Sequence, residues 1–157
     1  MTSKEEPSTV PPRDRATRKN HALRMLGQTV IDGWVATASA SAQPHLVPLS
    51  LAWVGQRVVI AVPVSSKTAR NIGDGTTVRI GAGGTRDVVM IDAVMESQLR
   101  AELDSALRSG FRTQAGWDPG RESGYVFLVL RPTRLQAWRE RNEMPDRDLM
   151  VDGCWLV

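Results

Sequence analysis

The stretch IAVPVSSKTARN, residues 60–71, is the point from which the chain can be read outward. Its first half is apolar and β-branched, the composition of a strand. From Ser65 the character turns helical, over residues 65–72, and Gly73-Asp74-Gly75 ends it. A strand that runs straight into a helix delivers Ser65, Ser66, Lys67 and Thr68 to the first helical turn. That turn presents unpaired N–H groups and a partial positive charge. Arg70, three residues after Lys67, falls on the same side and adds a second cation. Hydroxyls, a lysine and an arginine at a helix start suit a phosphate monoester. The same residues also make an ordinary N-cap with two solvated cations. Both readings stand at this point.

N-terminal to this step, residues 45–54 alternate, with Val47, Leu49, Leu51 and Trp53 on one face of a strand. Gly55-Gln56 is a tight hairpin turn leading into a strand over residues 57–62. Pro44 and Pro48 cannot donate to a ladder, which places the preceding strand at an edge or a bulge. Residues 34–41, WVATASAS, form a small-residue strand. A first helix begins near Arg13 or Asp14 and puts Leu23, Leu26 and Val30 on one face. Residues 1–12 read as a disordered leader, and residues 13–157 as a single domain.

C-terminal to the step, strands are expected over residues 76–81 and 86–94, joined by a flexible Gly81-Ala82-Gly83-Gly84 turn. Met95, Leu99, Leu103 and Leu107 recur every four residues and predict an amphipathic helix ended by Gly110, with Glu96, Glu102 and Asp104 on its wet face. Residues 111–124 read as a loop, 125–130 and 135–140 as two strands, and 144–157 as a tail. The sum is a mainly β chain with local hairpins and peripheral helices, a small antiparallel barrel.

Composition narrows the function. The net charge is +3, of which +2 sits in residues 1–19, so no basic face for nucleic acid is implied. No apolar run is long enough for a membrane span, and residues 1–20 lack the apolar centre of a secretory signal. A cytoplasmic location is the expectation by elimination. Arginine outnumbers lysine 17 to 3, as in a high-GC bacterial genome. One cysteine and two histidines give no metal spacing. His21 lies in a charged helix and reads as solvated; His45 opens a strand and reads as a surface or interface residue. Gly81–Gly84 superficially suggests a dinucleotide fingerprint, but a strand follows where a helix is needed. No acid–base or nucleophile constellation is present, so the chain supplies no catalytic residue of its own, and reactivity is expected from a cofactor.

The order of motifs resembles a known family. Trp34-Val35-Ala36-Thr37-Ala38, Pro44-His45-Leu46-Val47-Pro48, Ser66-Lys67-Thr68-Ala69-Arg70-Asn71, Thr85-Arg86-Asp87-Val88 and Arg131-Pro132-Thr133-Arg134-Leu135-Gln136-Ala137-Trp138-Arg139 together look like the pyridoxamine 5'-phosphate oxidase-like superfamily. The likeness covers roughly residues 33–155. It implies a split β-barrel, a six-stranded antiparallel Greek-key barrel, dimerising with itself to hold FMN in two interface clefts. It places Val47, Pro48, Leu49, Ser50, Ile60 and Ala61 beside the flavin ring, and Ser66 and Lys67 at its phosphate, with Arg70 compensating for the arginine that the oxidase has where Ser66 stands; Ser65 and Thr68 join them from the helix-start reading. Asp87 stands where the oxidase has a glutamine, and Trp138 where a late tryptophan covers the cofactor from the partner subunit. The oxidase's substrate-side arginine–histidine motif is missing, so vitamin B6 oxidation is not expected. The implied function is a flavin-dependent oxidoreductase acting on a small organic molecule. The alternatives are a reductase using the deazaflavin coenzyme F-420 on the same fold, and a non-catalytic flavin- or haem-binding protein.

Overall fold

The computed structural model describes residues 10–73, 75–103 and 105–157. The expected leader lies outside them up to residue 9; the carbonyl of Val10 accepts a hydrogen bond from the Asn142 side chain at 2.8 Å. Helix α1 spans Arg15–Leu26 and is capped by Asp14, whose carboxylate accepts from the Thr17 N–H at 2.7 Å. Its inward stripe is Arg18, Ala22 and Leu26. Arg18 is buried because its guanidinium donates to the carbonyls of Arg13, Glu143 and Pro145. Val30, expected on the same face, lies beyond the helix and is exposed.

Among the described residues nine strands form one antiparallel sheet: β1 (Asp32–Ala38), β2 (Pro44–Ser50), β3 (Ala52–Val54), β4 (Arg57–Pro63), β5 (Thr77–Gly84), β6 (Asp87–Arg100), β7 (Tyr125–Trp138), β8 (Asp148–Val151) and β9 (Cys154–Trp155). Helices α2 (Lys67–Asn71) and α3 (Ala106–Ala115) follow β4 and β6. The strand order is β2-β1-β5-β6-β7-β4-β3, with β8 and β9 hung on β7. The sheet curls around a core without closing, and the expected six strands are outnumbered. Strand β2 is an edge, which satisfies both of its prolines. None of the described helices is long and apolar enough to cross a membrane.

Alternation along β4 sorts the core. Val58, Ile60 and Val62 point into the barrel with Val35, Ile80, Ile91, Leu128 and Leu135. Val59 and Ala61 point outward, under α3, with Phe111 and Phe127. Both faces of β4 are covered, so its valine run is apolar without a break. Phe111 meets Phe127 at 5.2 Å and Trp117 edge-on at 5.8 Å between ring centroids.

Several expectations are corrected. Residues 95–100 are not helical: β6 runs on through Arg100, and α3 begins only at Ala106. A spacing of four fits a strand's period of two as well as a helical turn, and Met95 and Leu99 lie in β6 while Leu107 lies in α3. The register shift between Met95 and Ser97 leaves Glu96 as the extra residue of a bulge in β6. Glu96 is therefore a strand residue, bonded to Arg57 at 3.0 Å; Asp104 lies outside the described residues. Gly110, expected to end a helix, is inside α3, which occupies part of the expected loop. Gly81–Gly84 belong to β5, and the turn is Thr85-Arg86. The two expected late strands are one, β7, with Pro132 opposite Ala93 at a register shift between Asp92 and Ala93. Residues 45–54 divide at Leu51, which breaks pairing between β2 and β3 to enter the core. The tail contains the β8–β9 hairpin, turning at Asp152-Gly153 with both φ positive.

Candidate functional site

Helix α2 closes one end of the barrel. Ser66 caps it, its Oγ accepting from the Ala69 N–H at 3.1 Å. The hydroxyl thus retains its own proton to donate. The N–H groups of Lys67 and Thr68 occupy the first two helical positions and have no intrahelical partner. Lys67 is exposed and makes no ion pair among the described residues. Arg70 folds back to donate to the Ser65 carbonyl, which holds its guanidinium over the same turn. Asn71 donates to the Thr37 hydroxyl at 3.1 Å and so pins α2 to β1. Thr68 is buried and offers backbone only. The set fits a dianionic phosphate: two free amides, one hydroxyl and two cations.

The remaining expected site residues scatter. Ile60 has no exposed surface and Ala61 only 6%, so their side chains present nothing to a ligand. Val47 and Leu49 are half-buried on the inner side of β2, and Pro48 is exposed on the outer side. Ser50 donates to Asp32 at 3.1 Å, at the end of β1 remote from α2. Asp87 and Trp138 lie at that remote end too, Asp87 opening β6 and Trp138 pairing with Val88. Five residue steps along β1 lead from Asp32 to Thr37, about 16 Å at ~3.3 Å per step. One chain therefore carries the expected cofactor residues as two groups at opposite ends of the barrel.

The remote end has its own polar organisation. Asp87 accepts from His21 Nε2 at 2.8 Å and from Arg139 Nε at 3.3 Å, so His21 is not a freely solvated side chain. Nearby, Glu143 accepts from Arg13 through its backbone N–H at 3.0 Å, Nε at 2.8 Å and Nη2 at 2.7 Å, and from the Arg139 N–H at 2.8 Å. The Arg13 guanidinium, chiefly by hydrogen bonding, holds the Glu143 carboxyl down at about 2 despite burial. The mouth of a cavity of about 570 Å³ opens beside Asp87, between α1, the start of β1 and the β5–β6 hairpin. Arg24, Gln28, Val30 and Asp32 are among its lining residues. The lining comes from two segments, residues 21–32 and residues 83–87, which meet only through the sheet. No three described His, Cys, Asp or Glu side chains group to hold a metal ion.

Between the two ends, the outer face of β1 and β2 is apolar and uncovered. Pro48 lies opposite Trp34, Leu46 opposite Ala36 and Pro44 opposite Ala38. Trp34 is 55% and Leu46 59% exposed. Large exposed apolar side chains grouped in this way mark an interaction surface.

No family model and no curated protein matches the sequence. Solved structures do. The chain is similar to an F420 reductase (17% identity, 70% of this chain and 92% of that one, TM-score 0.58). It is similar to a candidate pyridoxamine 5'-phosphate oxidase from Listeria innocua (15%, 79% and 98%, 0.59). A haem-binding protein from Mycobacterium smegmatis matches at 16% over 92% of this chain and 60% of its own, with TM-score 0.60. At such identities the likeness is one of fold, and the fold is the pyridoxamine 5'-phosphate oxidase-like split barrel.

Proposed function

We propose that the chain acts as a homodimer that binds FMN in two equivalent clefts and oxidises or reduces a small organic molecule there. The observation that carries this reading is the separation of the two groups of site residues by an exposed apolar strip. A two-fold axis in the plane of that strip and across the strands turns one copy end for end against the other. The α2 end of one chain then faces the Asp87–Trp138 end of its partner, twice. In each cleft Lys67, Arg70, the Ser66 hydroxyl and the amides of Lys67 and Thr68 hold the phosphate. Val47 and Leu49 line the inner side, and Trp138 from the second copy covers the ring. The flavin supplies the redox chemistry, and the chain supplies position, charge and exclusion of water.

Both carboxylate oxygens of Asp87 are already engaged, by His21 and by Arg139, so Asp87 does not take the place of an amide donor to a ring carbonyl. The phosphate end, not the ring edge, therefore dominates recognition in this reading. The same arrangement accepts the phosphate-bearing coenzyme F-420, and the fold likeness to an F420 reductase favours it as the second candidate.

Mass spectrometry and absorption of the small molecule copurifying with the chain test the proposal, alongside sedimentation. FMN, or the shorter-wavelength strongly fluorescent deazaflavin, bound one per chain in a dimer is the expected result. Haem, or a monomer that binds neither compound when each is supplied in excess, overturns it.

A further inference from the structure

The cavity beside Asp87 has features the cofactor reading does not use. Its volume, about 570 Å³, lies in the range of small-molecule sites. Some of its charges are satisfied internally. Asp87 is matched by His21 and Arg139, with Arg13 also close enough to feel its charge. Two are not. Arg24 makes no hydrogen bond or ion pair among the described residues, and Asp32 is bonded to the neutral Ser50 hydroxyl without a cation. An unmatched cation and an unmatched anion thus share one cavity.

Its apolar wall is held under strain. Val30 has φ +55°, a left-handed conformation that a β-branched residue seldom adopts, and its side chain is 68% exposed. Gln114 imposes this. Its carbonyl accepts from the Val30 N–H at 2.7 Å, and its side-chain amide donates to the Leu26 carbonyl at 2.8 Å. Strain of this sort persists where surrounding contacts over-determine it, and it gathers at ligand sites. Here it keeps an aliphatic side chain presented beside Met25 and Ile31.

We infer that this cavity binds a small zwitterion with an aliphatic body. Arg24 takes the carboxylate, Asp32 takes the ammonium, and Met25, Val30 and Ile31 take the carbon chain. Within one chain the site lies at the end of the barrel remote from the α2 cradle, and its test is run on protein without added cofactor, so it does not depend on which cofactor the protein uses.

Backbone amide NMR of the full chain supplies the test, with 6-aminohexanoate and norleucine as zwitterionic probes and hexanoate and hexylamine as singly charged controls of similar length. At least one zwitterion is expected to shift the amides of Val30, Ile31 and Gly83 saturably, binding roughly tenfold or more tightly than both controls. Arg24→Gln should reduce that zwitterion to the affinity of hexylamine, and Asp32→Asn to that of hexanoate. Both side chains are on the surface, so both variants keep the wild-type spectrum elsewhere. Equal binding of all four probes, no saturable shift with any of them, or two variants that leave zwitterion binding unchanged overturns the assignment.

Discussion

Lys67 and Glu143 show how differently two charged side chains act in this molecule. Lys67 is exposed and has no protein partner among the described residues, so its value lies in what it binds. Replacing Lys67 and Arg70 together by alanine removes two charge-assisted contacts to a phosphate, each worth about 1.5–3 kcal/mol. Cofactor affinity, followed by fluorescence titration, should fall at least a hundredfold while the melting temperature stays nearly constant. Glu143 is nearly sealed from water and serves the fold. Its carboxyl sits at about 2 in the native state because Arg13 bonds to it. In the unfolded chain a glutamate titrates near ~4.3, so the native state binds its proton less readily. The stabilisation is complete above that value and is lost as pH falls toward about 2. Asp118, held at about 2 chiefly by Arg108, acts in the same window and direction. Glu143→Gln should cost about 2–3 kcal/mol at neutral pH and flatten, without abolishing, the acid limb of a stability–pH curve.

At the scale of elements, the β5–β6 hairpin meets α1 closely at Gly83. Gly83 has φ +81°, and a Cβ there would lie 2.2 Å from the Asp87 carbonyl oxygen and 2.9 Å from Met25 Sδ. Gly83→Ala should lower the melting temperature by roughly 5–10 °C. A melting temperature within a degree of wild type would show that this hairpin relaxes freely. Nothing about Gly83 was legible beforehand, since a four-residue glycine-rich run reads as a turn. The β2–β1 edge, the Gly55-Gln56 hairpin and the strand-to-α2 step were legible because prolines, turn residues and caps act locally. The far half of strand β6 was not: its apolar residues recur every four, a spacing that serves a helix as well as a strand, and the bulge at Glu96 follows from how β6 meets β7. The α2 half of the candidate site could be read from one contiguous motif. The His21–Asp87–Arg139 cluster could not, because its members are 66 and 52 residues apart and meet only through the sheet.

For the whole molecule, the uncovered strip on β1 and β2 makes the strongest demand. A charged substitution there, such as Leu46→Glu or Trp34→Glu, leaves a monomer that still folds, because neither side chain enters the core. In the proposed assembly it places like charges near each other across the axis. Sedimentation should then report a monomer, and cofactor binding should be lost together with the dimer although Lys67 and Trp138 are untouched. Retention of cofactor by such a monomer would mean that one chain suffices.

Strand β7 runs 14 residues through the middle of the sheet, bonded to β6 and β4 and, near its end, to β8. Phe127 contributes to the layer beneath α3, while Leu128, Leu130 and Leu135 contribute to the barrel interior. The two apolar layers consequently share a single backbone and cannot come apart one at a time. Hydrogen exchange should find the central β7 amides, such as those of Leu128 and Leu130, opening only with global unfolding, and calorimetry a single transition whose van't Hoff and measured enthalpies agree.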